Sequence, residues 1–110
     1  MKTLLAILAL LPGLLIQPAA YAELPGDAVW IDVRTPEEFA SGHLEGAHNI
    51  PYENINAGVA ALGLDQDTPI YLYCRSGRRS GIATETLGKT GYNRVTNVGR
   101  LEDARALLKH

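Results

Sequence analysis

Short apolar runs that predict β-strands alternate along this chain with segments whose apolar residues recur at helical spacing. Strands are predicted over residues 28–33 and 70–73, with shorter extended pieces at 49–50 and 93–97. Helices are predicted over 36–41, 55–62, 80–90 and 101–108. Strands that alternate with helices form a parallel sheet, because each parallel connection must cross over one of its faces. We therefore expect an α/β fold of three layers, a central parallel sheet with helices on both faces.

Local residue patterns indicate where these helices begin and end. Thr35, Pro36 and Glu38 have the spacing of an N-cap, a first helical residue and the partner in a capping box. Gly63 is expected to end the second helix as its C-cap. The inward-facing residues predicted for the last two helices are Ile82, Ala83, Leu87, Leu101, Ala104 and Leu108.

The first 22 residues have the organisation of a secretory signal peptide. Lys2 supplies a positive charge, residues 4–16 are mostly apolar, and Ala20-Tyr21-Ala22 forms a small-residue cleavage site before Glu23. The apolar stretch is shorter than the roughly 20 residues that a membrane-spanning helix needs. An uncleaved anchor or a buried first helix is the alternative. We predict cleavage after residue 22 and a bacterial periplasm as the destination.

Residues 23–110 form a chain of 88 residues, which is the size of one small domain. The single cysteine cannot form an internal disulfide, so the core must be stable without one. Without Lys2 the chain has nine Lys and Arg against twelve Asp and Glu, a formal charge of −3. This acidic balance indicates neither a nucleic acid nor a membrane surface as a partner of the mature domain.

Cys74 is the only cysteine and directly follows the apolar run 70–73, where a strand ends and a helix is about to begin. Open α/β sheets place their reactive groups at the carboxyl ends of the strands. Amide groups at a helix start and nearby arginines both favour a thiolate, so we expect a lowered cysteine pKa and interpret Cys74 as a reactive nucleophile. A structural cysteine would be expected inside the apolar run. The candidate loop residues beside it are Arg75, Ser76, Gly77, Arg78, Arg79 and Ser80.

The length of this loop bears on the chemistry that it can support. Its backbone N–H groups can converge on an anion if Gly77 adopts a positive φ angle. Cysteine phosphatases resemble this arrangement, but their Cys-x5-Arg loop is longer by one residue and wide enough for a phosphate. Here the sixth residue after Cys74 is Ser80. The tighter loop suits one extra sulfur on the thiolate, a persulfide, and disfavours a phosphatase or an arsenate reductase.

Three segments, in the same order along the chain, resemble the motifs of rhodanese-type sulfurtransferases. Residues 74–79 (CRSGRR) resemble the Cys-x-x-Gly-x-Arg active loop, and residues 31–39 (IDVRTPEEF) resemble the DVR-x-PEEF segment. Residues 42–51 (GHLEGAHNIP) resemble the GHIPGAxNIP segment. Residues 97–99 (NVG) resemble part of the NLxGG segment, with Arg100 where a second glycine is usual. The first predicted strand begins soon after Glu23, so we expect the family's usual opening strand and helix to be missing. This departure and the one at Arg100 both resemble the small periplasmic rhodaneses of the phage-shock-protein type.

This resemblance implies a single rhodanese-like domain that transfers sulfur from thiosulfate to cyanide or a thiol through a persulfide on Cys74. It implies no cofactor and no metal, and the final acceptor can also be a protein. Backbone amides of residues 75–80 would stabilise the persulfide. Arg75 and Arg78 would bind the dianionic donor, while Arg79 would brace the loop by holding its carbonyl groups.

Supporting residues and an alternative function remain open from the sequence. Asp32 and Arg34 either fix the active loop from the neighbouring strand or form only an ion pair at a strand end. His43 and His48 have no zinc-site spacing, so we expect them to cap or pack a loop. The alternative function is a rhodanese-like module that carries sulfur or docks a partner without turning over thiosulfate. The presence of Cys74 argues against an inert module.

Overall fold

The computed structural model describes residues 24–109, so the predicted signal peptide at 1–22 lies outside the described residues. Strands and helices alternate along this range, as predicted. The strands are β1 (Val29–Asp32), β2 (His48–Asn49), β3 (Ile70–Cys74) and β4 (Val95–Arg100). The helices are α1 (Pro36–Ala40), α2 (Ile55–Leu62), α3 (Arg78–Lys89) and α4 (Leu101–Leu108), with a 3₁₀ turn at Tyr52–Asn54 before α2.

The four strands form one parallel sheet in the order β2-β1-β3-β4. β1 and β3 occupy its centre, so the carboxyl ends of these two strands meet at one edge, where Asp32 pairs with Tyr73. A β-bulge interrupts β4, because Leu72 pairs with Asn97 while Tyr73 pairs with Gly99. The predicted α/β fold with a central parallel sheet is confirmed.

Buried side chains form two apolar clusters, one on each face of the sheet, because successive side chains of a strand point to opposite faces. The larger cluster lies under α2 and α3 and contains Ile31, Val33, Ile50, Ile55, Val59, Ile70, Leu72, Cys74, Ala83 and Leu87. The smaller cluster lies under α4 and contains Leu44, Tyr73 and Ala104, with Trp30, Ala47, Val98 and Leu101 packed around it. The helices therefore cover both faces, as the three-layer prediction required.

The structure corrects the sequence-based boundaries in a way that matters for the site. α3 begins at Arg78 instead of Ser80, because Gly77 takes a left-handed conformation (φ 93°) and caps the helix there. The first turn of α3 therefore includes two arginines. The inward orientation predicted for Ile82 and Leu108 is wrong, since these side chains are 38% and 46% exposed.

Candidate active site

Cys74 is the last residue of β3, and three residues separate it from the first turn of α3. Its side chain is completely buried beneath the loop that joins the two elements. The α3 N-terminus carries N–H groups without helical partners and the positive end of the helix dipole, and both favour negative charge on a neighbouring atom. The fold therefore places the thiol where a thiolate is stabilised.

Gly77 gives the loop its curvature. Gly77 adopts a φ of 93°, and its backbone N–H donates a hydrogen bond to Cys74 Sγ at 2.9 Å. A Cβ atom at this position would lie 3.5 Å from Gly99 Cα, which is ordinary van der Waals contact. Glycine is therefore required by the backbone conformation and not by lack of space.

The pKa of Cys74 is lowered by hydrogen bonds that outweigh its burial. Burial is the largest single influence and acts to raise the pKa. The Ser80 hydroxyl, 3.4 Å from Sγ, and the amides of Ser80, Ser76 and Gly77 act in the opposite direction, and the net shift is downward. The lowered pKa expected from the sequence thus arises mainly from these neutral donors, whereas the expectation had assigned much of it to arginine charge.

The three arginines of the loop differ in their surroundings. Arg79 forms a two-pronged ion pair with Glu38, in which Nη1 donates to Oε1 at 2.9 Å and Nη2 donates to Oε2 at 3.1 Å. Arg75 is 79% exposed, with Nη1 4.0 Å from the same carboxylate. Arg78 is also exposed, and it lies in the first turn of α3. Two of the three loop arginines are therefore exposed to solvent.

Glu38 is a residue of the site whose position there was not predicted. It completes the predicted capping box of α1, accepting from the Thr35 amide at 2.9 Å, and it also pairs with Arg79. The hydrogen bonds from Arg79, followed by the Thr35 amide, lower the pKa of Glu38 to about 2. The expectation that Arg79 holds loop carbonyls is wrong, since its side-chain hydrogen bonds among residues 24–109 go to Glu38.

Asp32 and Arg34 form an ion pair at the end of β1, the second of the two alternatives. Arg34 Nη2 lies 2.6 Å from Asp32 Oδ2, and Nε lies 2.9 Å from Oδ1. Arg34 also donates to the Gly42 carbonyl at 2.7 Å, which ties the pair to the segment after α1. Both residues are buried, and the hydrogen bonds to Asp32 raise the pKa of Arg34. The pair organises the neighbouring segment and makes no hydrogen bond to the Cys74 loop within the described residues.

Tyr73 links this ion pair to the smaller apolar cluster. Its ring centroid lies 5.7 Å from the Arg34 guanidinium carbon, and its hydroxyl accepts from the Leu44 amide at 2.9 Å. Burial raises the pKa of Tyr73 to about 12, although the hydrogen bond from the Leu44 amide acts to lower it. Tyr73 is therefore a packed, neutral residue, consistent with the structural role that its strand position suggests.

Asn97 is the second residue of the site that sequence reasoning did not single out. Its Oδ1 accepts from the Ser80 hydroxyl at 2.7 Å and from the Gly99 amide at 3.0 Å. Its Nδ2 donates to the Gly77 carbonyl at 3.1 Å. One side chain from β4 therefore holds two residues at the start of α3. It is the last residue of the extended piece predicted over 93–97, and that position was the available signal.

The two histidines are not part of this site. His43 stacks on Phe39 with ring centroids 3.6 Å apart, and its Nδ1 lies 2.8 Å from the Phe39 carbonyl oxygen. His48 is exposed in β2. Within residues 24–109 no three His, Cys, Asp or Glu side chains are grouped as a metal site would require.

No helix within residues 24–109 is both long and apolar enough to span a bilayer.

Comparison with known proteins agrees with this geometry. The family model described as "Rhodanese-like domain" matches residues 17–101. The thiosulfate sulfurtransferase PspE of Escherichia coli is 42% identical over 74 residues, which cover 67% of this chain and 71% of PspE. A sulfurtransferase of Allochromatium vinosum is 38% identical over 72 residues, covering 66% of this chain and 65% of that protein.

Solved structures give the same result. A rhodanese with anions from E. coli superposes with a TM-score of 0.66 at 41% identity, covering 69% of this chain and 89% of that one. The human single-domain sulfurtransferase TSTD1 superposes with a TM-score of 0.63 at 26% identity, covering 74% and 83%. The chain therefore belongs to the rhodanese-like domain family, as a single small domain of the sulfurtransferase type.

Proposed function

We propose that this protein is a thiosulfate sulfurtransferase that carries the transferred sulfur as a persulfide on Cys74. The observation that carries the proposal is the 2.9 Å hydrogen bond from the Gly77 amide to Sγ at the α3 N-terminus. This bond supports a negative charge on Sγ in the resting enzyme, which is the state that attacks the donor. The similarity to a thiosulfate sulfurtransferase supports thiosulfate as the donor.

The proposed reaction has two displacement steps. The Cys74 thiolate attacks the outer sulfur of thiosulfate, a bond forms between Sγ and that sulfur, and the sulfur–sulfur bond of thiosulfate breaks. Its electron pair leaves with sulfite, and the negative charge of the enzyme moves to the outer persulfide sulfur. Cyanide or a thiolate then attacks this outer sulfur, and the Cys74 thiolate is regenerated as the leaving group. No proton transfer and no oxidant is needed in the cyanide reaction.

The charges around the loop suggest which residues receive the donor. Arg79 is already paired with Glu38, so its charge is largely neutralised. Arg75 and Arg78 are exposed and carry positive charge in the segment that directly follows Cys74. We assign these two residues to capture of the thiosulfate dianion and its sulfonate oxygens. The loop amides are assigned to the sulfur itself.

Intact-protein mass after exposure to thiosulfate tests the proposal directly. The proposal predicts a gain of one sulfur atom that cyanide reverses with release of thiocyanate, and Cys74→Ser should show neither. A stable gain of sulfur without turnover would instead indicate the carrier function. No gain of sulfur would refute both.

We also propose that the chain is exported and that the working protein begins at Glu23. The support is the residue pattern of positions 1–22, a charged start, an apolar stretch and a small-residue cleavage site. N-terminal sequencing of the protein recovered from a periplasmic extract should start at Glu23. Recovery of the uncleaved chain in the cytoplasmic fraction alone would refute this proposal.

A further inference from the structure

The Ser80 hydroxyl lies among three acceptors, although it has only one proton to donate. Its Oγ is 2.7 Å from Asn97 Oδ1, 3.2 Å from the Gly77 carbonyl oxygen and 3.4 Å from Cys74 Sγ. The shortest contact places the proton on the bond to Asn97. In this arrangement the hydroxyl is adjacent to the sulfur but is committed elsewhere.

The orientation of the Asn97 amide follows from its other two partners. Its oxygen accepts from the Gly99 N–H at 3.0 Å, and its nitrogen donates to the Gly77 carbonyl at 3.1 Å. Exchange of the oxygen and nitrogen atoms would place a donor against a donor and an acceptor against an acceptor. Asn97 is therefore fixed with its oxygen toward Ser80.

Asn97 can lose the hydrogen bond from the Ser80 hydroxyl at little cost in free energy. Its Oδ1 keeps the hydrogen bond from Gly99, so it is not left without a donor. Cys74 and Ser80 are both fully buried, and a charged sulfur there gains more from a hydrogen bond than an exposed one would. The preferred acceptor of the hydroxyl thus changes when the sulfur becomes negative.

We propose that Asn97 is a positioning residue for the Ser80 hydroxyl. While Cys74 is a thiol, the hydroxyl donates its hydrogen bond to Asn97 Oδ1. When Cys74 becomes a thiolate, the hydroxyl donates to Sγ instead. Asn97 pairs with Leu72, whose side chain packs in the cluster under α3, so strand alternation directs the Asn97 side chain to the same face of the sheet. The inference concerns ionisation of the Cys74 thiol, which precedes any sulfur donor, so it does not depend on the proposed function.

The test is an ultraviolet titration of the Cys74 thiolate in Asn97→Leu, with Cys74→Ser as the absorbance blank. Leucine is similar in size to asparagine and fills the space, but it offers Ser80 no acceptor. The hydroxyl should then turn to Sγ, and the thiolate midpoint should move to lower pH. The same substitution made in a Ser80→Ala background should leave the midpoint where Ser80→Ala alone places it.

A purely supporting role for Asn97 predicts the opposite result. Loss of its bond to the Gly77 carbonyl would loosen the loop, and the midpoint would rise whether or not Ser80 is present. A rise, no shift, or a fall that persists without the Ser80 hydroxyl would each overturn the proposal.

Asn97→Asp provides a second test at the same position, in case the leucine variant does not fold. A carboxylate is a stronger acceptor, so it should hold the Ser80 proton more firmly and move the midpoint to higher pH. Part of this shift is direct repulsion by the new charge, and that part survives in Ser80→Ala. The shift should therefore be larger with Ser80 present, and equal shifts in the two backgrounds would refute the inference. These titrations use no thiosulfate, so thiocyanate formation reports separately on the proposed function.

Discussion

Replacement of Glu38 by glutamine should separate the two roles of this residue. The glutamine side-chain oxygen can still accept from the Thr35 amide, so the capping box of α1 is retained. The charge that pairs with Arg79 is removed. Glu38→Gln therefore reports on the ion pair between α1 and the first turn of α3 without destroying the helix start.

The size of the effect follows from the pKa of Glu38. A lowering from 4.5 to about 2 corresponds to about 3 kcal/mol of folding free energy at 1.36 kcal/mol per pH unit, as an upper limit. The side chains of Glu38 and Arg79 are 24% and 21% exposed, so solvent screening reduces this free energy. We expect Glu38→Gln to lower the free energy of unfolding at neutral pH by about 1–2 kcal/mol.

The same contribution should depend on pH with a defined sign. A carboxylate whose pKa is lower in the folded state stabilises the fold above its unfolded pKa, and this stability is lost as pH falls through the folded pKa. For Glu38 the loss should extend from about pH 4.5 down to about 2. The difference between the wild-type protein and Glu38→Gln should therefore be largest at neutral pH and should shrink across this range.

Urea denaturation followed by circular dichroism, at neutral pH and again near the acid end of this range, measures both quantities. Glu37→Gln is the matched control, because Glu37 is an exposed acidic residue in the same first turn of α1 and has no ion pair within residues 24–109. The reasoning fails if Glu38→Gln is as stable as the wild type at neutral pH. It also fails if Glu37→Gln loses as much stability as Glu38→Gln.

Three further predictions concern the loop. Arg75→Ala or Arg78→Ala should raise KM for thiosulfate more than it lowers kcat, most clearly at low ionic strength, since binding charge is lost; unchanged KM in steady-state assays would refute donor capture by these residues. Insertion of one residue between Gly77 and Arg79 should improve phosphate binding measured by calorimetry, whereas aryl phosphatase activity in the unmodified protein would refute the loop-size argument. Gly77→Ala should cost about 1–2 kcal/mol in urea denaturation because of its positive φ, whereas Gly88→Ala, at an open site within α3, should be neutral or stabilising.

The fold was predictable to the extent that its signals are local. The capping box at Thr35 and Glu38 and the left-handed C-cap at Gly63 were both predicted and are both present. Helical spacing was less informative about burial. Ile82 lies next to buried Ala83 on the helix but turns outward, because spacing identifies a face and not how far a neighbouring element covers it.

The site was predictable where its residues are consecutive. Cys74 and the residues after it occupy one turn between β3 and α3, so their proximity follows from the chain itself. Glu38 and Asn97 reach the same turn from α1 and β4, over separations of 41 and 17 residues. Their contacts depend on how the strands order themselves in the sheet, and no local pattern in the sequence specifies that order.

The three arginines show how the structure changes an inference from charge. In the sequence they form one cluster, and a lowered thiol pKa can be attributed to all of them together. In the structure Glu38 neutralises Arg79, while Arg75 and Arg78 face solvent, where salt screens them. The thiolate is instead stabilised chiefly by uncharged hydrogen-bond donors, which salt affects little. Raised ionic strength should therefore weaken donor capture while leaving the ionisation of Cys74 nearly unchanged. Donor capture would then belong to the exposed guanidinium groups, and stabilisation of the thiolate to the uncharged donors.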